Sequence, residues 1–369
     1  MTRPAVPDYG VSTLADLLPS LGAHLGVPGA TDVLGLPDAN RYLLVLIDGL
    51  GWHQLNDHAA HAPNLSGLAG RWITSGVPST TATSITSIGT GLPPGGHGIA
   101  GYSFWYPQAR TVLNTLRWPA DLSGLDVQPQ LTYFERLAGV GVRTSTVAPA
   151  HFAGSGLTTA ALRGPAFLPV TDERDRHRRV DLAVQASGAG ERTLCYFYER
   201  QLDHAGHVHG LGSPQWLTEL AAADAIVGSL RAALPDDVCM VITGDHGMIN
   251  VPRDRRLIVE DEPGLMADVT AFAGEGRLRQ LMTPVPEVVA SRWQDRLGRS
   301  AWVRTRAEAI DDGWFGPVSP RLADRFGDVL VAMADDGAVL SSLLPRELTL
   351  VGMHGSLTPA ELAVPLLVA

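Results

Sequence analysis

A chain of 369 residues, 45% of them apolar, is globular and long enough to bury a large core, as one big domain with an insertion or as two ordinary ones. A net charge of −10 at pH 7 argues against a binder of nucleic acid polymers or of anionic membranes, because both need a basic face to neutralise phosphates. No run of about 18 apolar residues is present that could span a bilayer.

The opening stretch, MTRPAVPDYGVSTLADLLPSLGAHLGV, carries one Arg and is interrupted by Pro and Asp. It lacks the continuous apolar segment of a secretion signal, so a soluble, cytoplasmic protein is expected. RYLLVLID (41–48) is a continuous apolar run that ends in an acid. VRTSTVA (142–148), RTLCYFYE (192–199) and DVCMVITGD (237–245) are of the same kind. Continuous rather than alternating apolar runs mark strands covered on both faces, and LTELAAADAIVGSLRAAL (217–234), with apolar residues at helical spacing, predicts a crossover helix. The fold class is therefore α/β, with a mostly parallel sheet flanked by helices. Functional residues in such sheets gather beyond the carboxyl ends of the strands, so Asp48 and Asp245, each closing a strand, point at one crevice. Cys195 and Cys239 lie inside strand runs and are expected to be buried, inert thiols. Between 263 and 335 the rhythm changes, and PEVVASRWQDRLG reads as a helix among short strands. We expect a single catalytic domain over 1–369 with a small inserted α+β cap at 263–335 that shapes the leaving-group pocket.

Four separated segments carry acids and histidines in arrangements suited to metals. In LDHAGH, Asp203 and His207 are four residues apart, which on a helix puts both on one face. GDHG sets Asp245 beside His246 at a strand end, GMHGS flanks His354 with glycines, and Asp48 in LIDGLG completes the set. Three carboxylates and three imidazoles suffice for two divalent ions if one more oxygen is supplied, and this N/O mixture suits Zn²⁺ or Mn²⁺ better than Ca²⁺. Each piece alone is weak; His204 and His209, flanking His207, are its nearest competitors.

In order and context these pieces resemble the nucleotide pyrophosphatase/phosphodiesterase branch of the alkaline phosphatase superfamily. The residues that carry the resemblance are LIDGL, then VPSTTATSITSIGTGLPPGGHGI (77–99), LDHAGHVHG, TGDHGM and MHGS. The resemblance implies an alkaline-phosphatase-like fold and makes Thr81 the nucleophile and a ligand of one metal with Asp48, Asp245 and His246. Asp203, His207 and His354 would hold the second metal. It further implies that Thr81 attacks phosphorus and forms a phosphothreonine that water then hydrolyses. Thr81 would open a helix, where free N–H groups and the helix dipole favour a phosphate.

The branch has an Asn three residues after the nucleophile; here that place is Ser84, and Asn114 is a candidate substitute donor. Tyr102 and its neighbours Phe104, Trp105 and Tyr106 either stack on a base or pack in the core. No Arg follows Thr81 closely and no third acidic cluster is evident, which favours a singly charged diester over a monoester. The chain is similar above all to actinobacterial cyclic di-AMP phosphodiesterases, which implies hydrolysis of that small nucleotide through linear pApA to AMP, with no polymeric nucleic acid or membrane as partner. A phosphonate hydrolase or a phosphate monoesterase of the same superfamily is the alternative. A monomer is the expected state.

Overall fold

The four continuous apolar runs are strands of one sheet. In the computed structural model, which describes residues 3–369, the main strands are β1 (Arg41–Ile47), β2 (Ala69–Thr74), β3 (Arg143–Pro149), β4 (Ala166–Val170), β5 (Thr193–Glu199), β6 (Val238–Gly244) and β7 (Ala363–Val368). Among the described residues they form a seven-stranded sheet in the order β2-β7-β6-β1-β5-β3-β4. The stretch from β6 to β4 is parallel, and β7 runs antiparallel to both of its neighbours, β6 and β2.

Alternation along β1 explains why its run is continuously apolar. Tyr42, Leu44 and Leu46 enter a core on one face of the sheet, while Leu43, Val45 and Ile47 enter a second core on the other. The first face receives α1 (Thr81–Thr90), through Ala82, Ile85 and Ile88, and α2 (Gly156–Leu162). The second face receives α4 (Pro214–Ala233), which follows α3 (Gln201–His209). Ser213 caps α4 by accepting from the Trp216 N–H at 3.2 Å, with Pro214 in the first turn where its missing donor costs nothing. The helices α1 and α2 meet at Gly89, where a Cβ would stand 1.8 Å from the Ala161 carbonyl oxygen. Only glycine admits that approach.

The insertion is a four-stranded antiparallel sheet in the order Ala271–Glu275, Leu278–Met282, Val329–Met333, Ala301–Thr305. The helix Pro286–Leu297 packs on it through Val289 and Trp293. It is fastened to the main domain by polar contacts that are themselves buried. Arg277 pairs with Glu361 at 2.8 Å, both side chains fully enclosed, and the Gln280 amide donates to the Ala100 carbonyl at 2.5 Å. Cys195 and Cys239 are free thiols on β5 and β6, strands separated by β1; burial pushes the Cys195 thiol up to about 12. Among the described residues no helix is long and apolar enough to cross a membrane.

Candidate metal centre

Strand register sets the centre. Ile47 stands opposite both Glu199 and Gly244, so β1, β5 and β6 end level and their following residues emerge side by side. Asp48 leaves β1 with its N–H bonded to the Glu199 carbonyl at 2.8 Å. Gly49 turns the chain at φ +74°, and its N–H, with that of His246, binds Asp245 Oδ1 at 2.9 and 3.0 Å. The other oxygen, Asp245 Oδ2, is buried without a hydrogen-bond partner. Just after β5, α3 places Asp203 and His207 one turn apart, with His207 Nε2 3.4 Å from Asp203 Oδ1. His354 arrives on the segment that pairs with Ile249–Asn250 through Gly352 and Met353.

Each imidazole is oriented by a backbone carbonyl. Nδ1 of His207 faces the Gly352 oxygen at 2.8 Å, Nδ1 of His246 the Gly247 oxygen at 3.0 Å, and Nδ1 of His354 the Ser79 oxygen at 2.8 Å. A carbonyl only accepts, so these contacts assign the proton to Nδ1 and leave the Nε2 lone pairs pointing inward. Nε2 of His246 lies 3.2 Å from Thr81 Oγ1 and 3.5 Å from both Asp48 Oδ1 and Asp245 Oδ2. Nε2 of His354 lies 3.3 Å from Nε2 of His207.

Two sets of donor atoms lie within 4.8 Å of one another: Asp48, Asp245 and His246, and Asp203, His246 and His354. His246 thus reaches both, and His207 adjoins the second. Facing lone pairs, with Asp203 Oδ1 and Asp245 Oδ2 buried and lacking a hydrogen-bond donor, are the signature of a site shaped for cations, so the residues present fit a pair of divalent ions. Electrostatics agree. Burial, then the charges of Asp245 and Asp203, push the Asp48 carboxyl well above the usual range, against a hydrogen bond from Tyr198. Burial, then His246 and His207, hold His354 well below its ordinary value and therefore neutral. A dication held among these groups would offset the carboxylate repulsion.

Thr81 is the first residue of α1, behind an extended N-cap at Thr80. Its hydroxyl donates to Asp48 Oδ1 at 3.3 Å. Beside Thr81, Asp48 and Asp203 opens a cavity of about 670 Å³. The segment 115–118, α2, and the side chains of Phe152, Phe167, Tyr196 and Tyr198 wall it, with Arg117 and Arg200 among the lining residues.

The structure brings Asp48, Thr81, Asp203, His207, Asp245, His246 and His354 together. Ser84, Tyr102 and Asn114 do not line the cavity. Ser84 is fully buried, its hydroxyl without a partner. The Asn114 side-chain oxygen accepts from the Leu116 N–H at 3.0 Å and so shapes the loop whose next residues form the wall. Phe104 and Tyr106 are core residues, with the Arg325 guanidinium 5.3 Å from the Tyr106 ring centre. The cavity's aromatics are instead Trp118, Phe152, Phe167, Tyr196 and Tyr198. Sequence reasoning missed them; the one legible sign was a phenol at alternate positions of β5, since hydroxyls are out of place in a doubly covered strand. No lining residue comes from 263–335, so the insertion does not shape this pocket. It reaches the centre from behind, with Glu275 3.8 Å from His354 Nδ1.

Among solved structures, the murine ectonucleotide pyrophosphatase/phosphodiesterase 5 superposes with a TM-score of 0.70 at 17% identity, covering 88% of this chain and 87% of that one. An inactive variant of it in complex with AMP gives 0.71 at 16% identity, covering 89% and 87%. The human protein gives 0.68 at 16% identity, covering 89% and 87%. These likenesses show the fold. In sequence, the catalytic subunit of human GPI ethanolamine phosphate transferase 3 is 33% identical over 60 residues, 16% of this chain and only 6% of that protein's length. A sequence model of the type I phosphodiesterase/nucleotide pyrophosphatase family matches residues 42–357, a span that runs from β1 through the His354 segment. With the fold and the span in agreement, the chain belongs to the type I phosphodiesterase/nucleotide pyrophosphatase family, whose chemistry is the hydrolysis of phosphoric ester bonds.

Proposed function

We propose that this chain is a two-metal phosphodiesterase that uses Thr81 as nucleophile on a nucleotide diester, cyclic di-AMP foremost, cleaving it through linear pApA to AMP. The observation that supports it most is the convergence of three inward-facing Nε2 atoms and of carboxylate oxygens lacking a hydrogen-bond donor beside a helix-opening threonine. Asp48, Thr81, Asp245 and His246 would hold one ion, and Asp203, His207 and His354 the other. Bound there, two divalent ions, Mn²⁺ or Zn²⁺, supply Lewis-acid stabilisation of the charge that grows on phosphorus-bound oxygens.

The chain's own groups do the rest. The hydrogen bond from Tyr198 to Asp48 Oδ2 fixes the carboxylate that accepts from Thr81. Free N–H groups at the start of α1 face the phosphate that Thr81 attacks. Thr81 gives up its proton along its hydrogen bond to Asp48 as a bond forms between its Oγ1 and phosphorus and one ester oxygen leaves, taking up a proton from solvent; water then attacks the nucleotidylated threonine, which releases the nucleoside monophosphate and restores the hydroxyl. Arg117, exposed on the cavity wall, suits the second phosphate of a dinucleotide. The AMP bound by the murine relative supports a nucleoside phosphate as the substrate unit.

A panel of bis-p-nitrophenyl phosphate, p-nitrophenyl phosphate, phosphonoacetate, pApA and cyclic di-AMP, assayed with Mn²⁺ and with Zn²⁺, tests the proposal. Diesters and dinucleotides are expected to be hydrolysed in preference to the monoester. Preference for phosphonoacetate would move the assignment to C–P cleavage, and no diester turnover with either ion would overturn it.

A further inference from the structure

The insertion does not line the cavity, yet one of its carboxyls is set against the metal centre. Glu275 ends the strand Ala271–Glu275. Its Oε2 lies 3.8 Å from His354 Nδ1, and its side chain is 15% exposed. The chain around it makes that placement definite. Gly274 turns at φ +83° and its carbonyl accepts from Ser103 Oγ at 2.9 Å, while the Gly276 carbonyl accepts from the Val339 N–H at 2.8 Å. Room for the carboxyl comes from Gly355, the residue after His354. A Cβ there would stand 2.8 Å from Glu275 Cγ, at a φ of +130° that side chains rarely adopt. The Thr80 side chain, just ahead of Thr81, does not cap α1; it hydrogen-bonds with the Glu275 carboxyl.

Stability does not call for an acid here. The arginines of the same hairpin are committed to other acids, Arg277 to Glu361 and Arg279 to Glu347. Glu275 Oε1 is buried without a hydrogen-bond partner. Burial, then the nearby charge of Glu347, push the carboxyl well above the usual range, so its ionised form lacks a positive partner. In front of it stands the His354 ring, whose Nδ1 donates to the Ser79 carbonyl at 2.8 Å and whose Nε2 is left for an ion. A cation at Nε2 draws electron density from the ring and spreads positive charge to its far edge, which a carboxylate behind the ring favours.

We infer that Glu275 is a positioning residue of the metal centre, whose carboxylate, set behind the His354 ring, strengthens the bond between Nε2 and the ion held with Asp203 and His207. The insertion thereby serves the centre through one side chain that touches neither substrate nor ion. The inference rests on the ion sites of the proposed function, not on its substrate or its nucleophile.

Calorimetric titration of the metal-free protein with Mn²⁺, with no substrate present, tests it. Glu275→Gln keeps the shape and an acceptor for Thr80 but removes the charge. The affinity of one of the two ion sites should fall about tenfold or more, while the other stays within about twofold of the parent. Glu275→Asp, which keeps the charge and withdraws it by one methylene, should show a smaller loss confined to the same site. Where one variant fails to fold, the other carries the same comparison. Loss at both sites together, as a merely structural role would give, or at neither, would overturn the inference. A parent that took up no Mn²⁺ would end both it and the proposed function. Should the parent bind two ions but hydrolyse no diester, the proposed function fails while the titration still decides the role of Glu275.

Discussion

At the scale of residues, the proposed mechanism gives Thr81 two roles, nucleophile and ion ligand, and Asp203 only the second. Thr81→Ala removes the hydroxyl and leaves the carboxylates and imidazoles in place, so bound metal should persist while turnover falls by roughly three orders of magnitude or more. Asp203→Ala instead opens one ion site. It should weaken metal binding by at least the roughly 10–100-fold that a lost outer partner costs, and activity should recover in part at high Mn²⁺ by mass action. Metal analysis beside steady-state kinetics separates the two lesions. Near-normal diester hydrolysis by Thr81→Ala would exclude the covalent route. Protons compete with metal at the same place. Asp48 is pushed well above the usual carboxylate range and His354 well below its ordinary value, so a proton competes with metal at Asp48 rather than at His354. Metal uptake should therefore release protons, and apparent affinity should fall as the pH is lowered. Titration of Mn²⁺ in buffers of different ionisation enthalpy reads this; buffer-independent heats would contradict it.

At the scale of elements, the pocket depends on helices, while the insertion is fastened behind the centre without lining it. Gly89 lets α1 approach α2, and a methyl group there meets the Ala161 carbonyl. Gly89→Ala should push the two helices apart, cost about 1–3 kcal/mol in denaturant unfolding, and raise KM because α2 walls the cavity. The insertion is stapled rather than hinged. Breaking the enclosed Arg277–Glu361 pair by Arg277→Ala leaves a buried charge uncompensated and should cost about 3–5 kcal/mol, visible as a lowered denaturant midpoint; an unchanged midpoint would mean that the pair is wetter than its geometry implies. Elements of this kind were unevenly legible. β1, β3, β5 and β6 read clearly because strands covered on both faces need unbroken apolar runs. The edge strand β2, largely exposed through AGRW, has no such run and left no trace. The insertion's rhythm betrayed its presence, but not which side of the site it would cover.

At the scale of the whole molecule, the centre joins segments that are far apart in the chain: the ends of β1 and β6, the start of α1, the helix α3 and the C-terminal His354 loop. Ions that bind only when these converge stabilise the folded state, by about 2.7 kcal/mol per site at a hundredfold excess over Kd. A chelator should lower the melting temperature by several degrees and Mn²⁺ should restore it, whereas an unmoved transition would show that the fold closes without the ions. The acids and histidines of this centre were legible because ligand chemistry restricts residue type, and because they stand either just past a strand or one turn apart on α3. The pocket was not, since Trp118, Phe152 and Phe167 become neighbours only through packing, which no local pattern encodes.

The carbonyls that aim the imidazoles belong to Ser79, Gly247 and Gly352, and every amino acid carries a carbonyl. No substitution at these positions deletes the acceptor. A saturating mutational scan would thus register them as packing sites, most severely at Gly247 and Gly352, where a Cβ would stand 2.0 Å from the Ala360 oxygen and 2.4 Å from Met248 Sδ. It would not reveal the bond that decides the tautomer. What steers the metal-facing nitrogens is inherited as chain path, not as letters, so distant sequences can drift until few residues are shared and still pass on the same chemistry.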